Sequence, residues 1–451
     1  MIFAATGLGL SLGWLLPAQQ ASQPNWKDRA EYDLYEAFTK APDAKGRLAA
    51  LDKWAQAYPD SELWVQREEA YLGVYGELKD NRKAFDKAKA VRAKKPEHYY
   101  SITTILTLIY SFTPLPPAEA DLQTAEETAR YVLTNADKVF APANKPGNMT
   151  DQQFAQARPA VEALALRTNA WVWVQRKDDA RAEQELTKVV QADPQQPQFN
   201  YFLGQALFNQ RQKAPLEKVP LAIFHIARAA VYDGPNALPE ATRRQFLNSV
   251  TNIYKQFHGS EEGFSELLAA ARASAVPPPD FKIVDAGTIA QQQFASQQAW
   301  DEAHPMEAFW RDAVRTPLTG PDAAALFESN YKGAELPPPG QPFSMFKGKI
   351  ISMTPETSPR ELLVAVFDPN IADAKLIIDP PLPGDMPLGS EIQFKGEVIA
   401  FQSDPFMVTF KIDMDQKDLV GWTGVAAKGK APAKGKAPAK GKAVTSKGAT
   451  K

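Results

Sequence analysis

LRTNAWVWVQRKDDARAEQELTKVVQADP, residues 166–194, followed without a gap by QQPQFNYFLGQALFNQ, residues 195–210, decides how most of this chain is built. Apolar and small residues recur there at three- and four-residue spacing, the period of helices with one buried face. Asp193-Pro194 ends the first pattern, because proline cannot continue a helix. Counting back from that break puts Leu166, Asn169, Ala170 and Trp173 on a first helix, and Ala182, Leu186 and Val189 on a second. The next segment repeats the order with Asn200, Leu203, Gly204 and Leu207 and then, after an insertion, Ala222, Ile226 and Ala229. It closes at Asp233-Gly234-Pro235. The small residues Ala170, Ala182, Gly204 and Ala222 let paired helices approach, while the larger ones fill the space between successive pairs.

Fainter copies end at Pro59 and Pro96, one keeping Leu34, Phe38, Leu51 and Trp54, the other Leu72-Gly73 before Ala84. A further pair is expected from His98 to Phe140, broken at Pro114 to Pro117, and a closing pair from Pro239 to His258 and Glu261 to Arg272. These offsets resemble the tetratricopeptide repeat, whose signature runs aromatic, Leu-Gly, aromatic, Ala, aromatic and a closing Pro. The resemblance implies a mainly α fold, a helical solenoid over residues 26–272, and a non-enzymatic scaffold that holds a peptide or protein segment on its concave face. Carried over position by position, it implies a groove lined by Arg167, Trp171, Val174 and Gln175 from one repeat and Tyr201, Gln205, Phe208 and Asn209 from the next. Trp171 stands where chaperone-binding relatives carry a clamp asparagine, so a free C-terminal carboxylate is not the ligand this set implies.

Beyond Pro277-Pro278-Pro279 the pattern changes, and residues 273–340 read as a Pro-flanked helical linker region with two or three helices between 286 and 331. Residues 341–425 alternate at strand length: Met345 to Met353, Glu361 to Phe367, Lys375 to Asp379, Glu391 to Phe401 and Met407 to Ile412. Five short strands predict a small barrel-like module, and Leu388 to Val398 resembles a strand of an oligonucleotide/oligosaccharide-binding (OB) barrel. Residues 426–451 repeat Ala-Lys-Gly-Lys-Ala-Pro and hold no aromatic group, the composition of a disordered tail. At the other end, Ile2 to Leu16 is apolar and uncharged, and Ala18 and Ala21 follow Pro17. That is the length of a signal-peptide core, so residues 1–21 predict export to the periplasm or medium. The alternatives are an uncleaved, membrane-associated N-terminus and an apolar helix packed on the first repeat.

Of 451 residues, 44% are apolar and 23% charged, which fits a folded globular chain. There is no cysteine, which removes disulfides, zinc thiolates, thiol nucleophiles and a lipid-bearing N-terminal Cys together. Nucleotide-binding and acyl-transfer motifs are absent, and His98, His225, His258 and His304 have no ligand spacing, so neither catalysis nor a cofactor or metal is expected. Asp413, Asp415 and Asp418 resemble the start of a calcium loop but lack its glycine and distal glutamate, leaving a solvated strand end. The tail from Lys428 carries eight lysines and no acid; the rest of the chain holds 43 basic against 53 acidic residues. A basic tail suits an anionic envelope polymer. Residues 343–425 carry 7 basic against 12 acidic side chains, so no nucleic acid is expected on the β-module. An envelope-polymer or carbohydrate-binding role for that module and the tail is the alternative to the peptide-binding scaffold.

Overall fold

The computed structural model describes residues 26–415 and 417–424; the expected signal segment and the lysine tail lie outside them. The described residues are mainly helical and close with a curled eight-stranded sheet. It forms two compact units, one running to Ile289 and one starting at Ala290.

The first unit is a succession of antiparallel helices: α1 (Arg29–Lys40), α2 (Ala44–Ala57), α3 (Trp64–Glu77), α4 (Asn81–Lys94), α5 (Tyr99–Leu108) and α6 (Glu119–Val139). It continues with α7 (Asp151–Gln175), α8 (Asp179–Ala192), α9 (Pro197–Asn209), α10 (Pro215–Val231), α11 (Glu240–His258) and α12 (Phe264–Ala273). Aspartates start four of them: the side chains of Asp28, Asp43, Asp80 and Asp178 each accept an orphan N–H of the first turn. Thr150 and Gln153 form a reciprocal capping box at α7. Each helix packs on the next, and α3, α5, α7 and α9 also touch one another in turn, so the odd-numbered helices make one layer there. Gly204 shows why the pairs lie close: a Cβ at that position would stand 2.6 Å from Ile226 Cγ1 and 3.0 Å from the Ala222 carbonyl. Gly204→Ala is therefore expected to push α9 from α10 and lower the melting temperature by several degrees, with thermal denaturation as the check.

The segment after α12 was expected to begin a linker, yet its first residues pack on the helices. Asn200 Nδ2 donates to the Ala275 carbonyl at 2.7 Å, and Phe281 sits edge-on to the buried Phe224 at 5.2 Å. Phe281 and Ile283 cover the apolar side of the α10 to α12 cluster.

Helix α13 (Ala286–Ala303) buries no residue and spans the division between the units. Next, α14 (Pro305–Phe309) runs through π-helical turns at Trp310–Arg315 into α15 (Thr316–Thr319), and α16 (Ala323–Leu326) follows. These residues also fell in the expected linker, but Trp310, Val314, Leu318 and Phe327 belong to the core of the sheet. Trp310 is fully buried against Phe346 and Phe410.

The strands are β1 (Glu335–Leu336), β2 (Phe346–Thr354), β3 (Glu361–Ala365), β4 (Ala374–Ile378), β5 (Glu391–Phe394), β6 (Gly396–Ser403), β7 (Phe406–Ile412) and β8 (Leu419–Val420). Five strands were expected and eight are present among the described residues. The expected fourth strand is split at Lys395, and two-residue strands lie at either end of the sheet. Strand order is β1-β6-β7-β4-β3-β2-β5-β8. Because only Lys395 separates β5 from β6, the sheet curls into a ring: β2 pairs with β3 and β5, β4 lies parallel to β7, and β7 pairs with β6. Lys395 makes the corner, its N–H donating to the Asp418 carbonyl at 2.9 Å and its ammonium 3.4 Å from the Asp418 carboxylate.

Candidate functional site

The residues carried over for a groove lie on α7 and α9, in the layer of odd-numbered helices, but they do not share one environment. Trp171 corrects the expectation outright, since it has no exposed surface. It lies in the cluster that joins α5, α7 and α9, among Ile105, Ile109 and Phe202, with the Tyr110 ring 4.8 Å away. The reason is geometric: α7 is flanked by α5 and α9, both of which touch it, so this side chain points into a helix junction and cannot reach a ligand.

The others keep part of their surface. Val174, Tyr201 and Phe208 are half-buried on the same cluster. Tyr201 stacks face to face on Phe246 of α11 at 3.8 Å, and its hydroxyl accepts from Gln205 Nε2 at 2.7 Å. Arg167 is held by Asp193 at 2.6 Å, and Asn209 donates to Asp179 at 3.0 Å. The Phe208 ring lies beneath the Arg211 guanidinium, 4.3 Å from its centre. Gln175, the last residue of α7, is half-buried. The structure thus joins Tyr201 to Gln205 directly, while Arg167 and Asn209 are each tied to a carboxylate of α8 or its end.

Sequence reasoning missed Tyr110 and Phe246, which decide what Trp171 and Tyr201 can do. Neither carries a local signal, because each meets its partner through the packing of helices distant in sequence. Asp193 was visible as half of the Asp-Pro break, but its pairing with Arg167 was not.

The histidines all have local work. His98 caps α5 through Nδ1 and meets Glu69 at 3.0 Å, and His258 and His304 contact the carbonyls of Val284 and Trp300. His225 is buried, with Nδ1 3.0 Å from Asn200 Nδ2, and burial drives its pKa from 6.5 down to about 3. The sign follows. Between those two values the unfolded chain binds a proton that the folded chain refuses, so stability is intact above the unfolded value and falls as the pH drops through the window. Unfolding titrations of wild type and His225→Leu should show the variant sparing about 3 kcal/mol of the loss between neutral pH and about pH 4. Equal slopes would show that His225 is not the group responsible.

Asp413, Asp415 and Asp418 close a turn on themselves: Asp418 accepts from the Asp413 N–H and Asp413 from the Asp415 N–H. Among the described residues no group of three or more His, Asp and Glu could hold a metal ion. A hollow beside the non-helical Asn135 of α6 is lined by Leu133, Asp137, Arg158 and Glu162, with Arg158 bridging the two acids at 2.8 Å each. No described helix is long and apolar enough to cross a membrane. Comparison with known proteins found no relative: no family model matches the chain, and no curated protein matches it.

Proposed function

We propose that the helical unit is a solenoid of tetratricopeptide type and that the protein is an exported, non-enzymatic scaffold holding an extended peptide on the layer of odd-numbered helices. The observation that carries this reading is the successive contact of α3, α5, α7 and α9, as expected of the inner layer of a curved array. Half-exposed Gln175 and Gln205 offer donors and acceptors suited to a peptide backbone, beside the apolar Val174 and Phe208. The test places a photo-crosslinking residue at Gln175 or Gln205 in intact cells, with Lys188 on α8 as the control. Capture from the first two and not from the control is expected; equal capture from all three sinks the reading.

Export is tested by sequencing the N-terminus of protein from its native host. A start near Ala18 or Ala21 outside the cytoplasm is expected, and a cytosolic chain starting at Met1 would contradict it.

A second reading draws support from the strand ring. A ring of five strand paths with one parallel pair, here β4 with β7, is the order of OB barrels, which hold oligosaccharides as well as nucleic acids. With its excess of acidic residues the module suits a neutral or basic polymer, and the lysine tail an anionic one. Loss of ligand on deleting residues 343–451 favours this reading over the helical groove.

A further inference from the structure

We propose that α13 is a yielding connector whose middle, residues 290–299, opens and closes while both units stay folded, and that the Phe294–Ala295 bond is the site at which an endoprotease divides the chain. The earlier α11 is held by what it covers, burying Phe246, Val250 and Tyr254. None of the 18 residues of α13 is buried, and residues 290–299 are exposed without a break. Its sequence, AGTIAQQQFASQQAWDEA, shows why. At about 100° per residue, Phe294 falls about 140° round the helix from Ile289 and about 120° from Trp300, so the three large apolar side chains make no stripe for a core or a partner's groove. From Ala286 to Trp300 no charged residue occurs, so ion pairs one turn apart do not brace the helix either.

The two ends are fastened, each to its own unit. At the start, the Asp285 carboxylate accepts the Thr288 N–H at 3.0 Å and the Thr288 hydroxyl at 2.6 Å, and the His258 ring meets the Val284 carbonyl at 2.7 Å. At the end, the Trp300 ring stacks on His304 at 4.7 Å, and Asp301 holds Arg311 at 3.0 and 3.1 Å. Between them about three turns stand on their own hydrogen bonds, and a helix shorter than about 12–15 residues is marginal in water without tertiary packing. Opening this stretch exposes no buried apolar surface, so it costs far less than opening either core. Phe294 is 65% exposed, the most exposed large apolar residue among the described ones. A protease with an apolar pocket can take such a residue once the backbone around it extends. Water then adds across the Phe294–Ala295 peptide bond, leaving a carboxylate on Phe294 and an ammonium on Ala295. Cleavage there parts the helical layers from the β-module and its lysine tail.

The test treats the full chain briefly with chymotrypsin, which cuts after large apolar residues, and reads the products by intact mass. Among the described residues the first cut should fall after Phe294, and the two products together should keep the circular dichroism signal and melting of the uncut protein. Hydrogen exchange on the intact chain should show the amides of residues 290–299 exchanging at least about a hundredfold faster than those buried in α11. Phe294→Ala should abolish the cut and leave that exchange fast, since it removes the side chain the protease holds and not the opening. Gln292→Glu with Ser296→Lys, combined with Gln293→Glu and Gln297→Lys, adds two ion pairs one turn apart and should slow the exchange about two- to fivefold. A first cut after Leu216 or Leu388, which are 63% and 62% exposed, overturns the proposed site. Amides of residues 290–299 that exchange as slowly as those of α11, or products that unfold once the bond is cut, overturn the yielding connector itself.

Discussion

Trp171→Ala is expected to lower the melting temperature of the helical unit by about 10 °C, the consequence of losing about 3–5 kcal/mol when a large core aromatic is cut to a methyl group. Trp171 has no exposed surface and lies with Ile105, Ile109 and Phe202 in the cluster that joins α5, α7 and α9, the Tyr110 ring 4.8 Å away. These neighbours sit on α5 with the turn that follows it and on α9, which also pack elsewhere, so the site can collapse only in part and most of the cavity cost stays. Any loss of ligand capture by this variant then reports the fold and not a contact. Far-ultraviolet circular dichroism with temperature decides the matter: a variant that melts with wild type would return Trp171 to the surface.

The second large effect is expected at Asp373. Its carboxylate is 2% exposed and accepts from Trp310 Nε1 at 2.8 Å, the Val366 N–H at 2.7 Å and the Phe367 N–H at 3.2 Å. Burial raises its pKa, and the three donors together with Arg315 oppose that rise. The residue fastens the helix of Trp310 to the β3–β4 hairpin. Asp373→Ala leaves three N–H groups facing apolar surroundings, each worth about 1–3 kcal/mol when orphaned, so a loss of about 4 kcal/mol is expected after partial hydration of the exposed hairpin end. Asp373→Asn keeps one acceptor and should lose less. Denaturant unfolding followed by Trp310 fluorescence measures both; an alanine variant as stable as the asparagine one would show that the donors find other partners.

These two residues also show where the sequence could be read and where it could not. The pairing of α7 with α8 and of α9 with α10 was legible because Asp-Pro and Asp-Gly-Pro breaks coincide with small residues at fixed offsets, and the Cβ clash at Gly204 shows what that smallness does. The position-by-position transfer named four residues that lie on α7 and four on α9, and one of them, Trp171, is buried because Tyr110 from an earlier helix packs against it. Strand positions were legible from alternation, but Glu391 to Phe401 reads as one run since Lys395 does not break the pattern. Its bend depends on Asp418, which lies beyond the next strand. Trp310 and Phe327 were recognisable as helical residues, yet nothing near them in sequence says that a sheet lies underneath.

Among the described residues the sheet ends in β1 and β8, each two residues long, and β1 pairs with only Gly396 and Glu397, so the outer side of β6 from Ile399 to Ser403 carries no strand. Such stubs offer an incoming chain at most a bond or two, too little to seed backbone pairing with another molecule. Strand addition and edge-to-edge aggregation are thereby confined to longer bare edges such as that of β6.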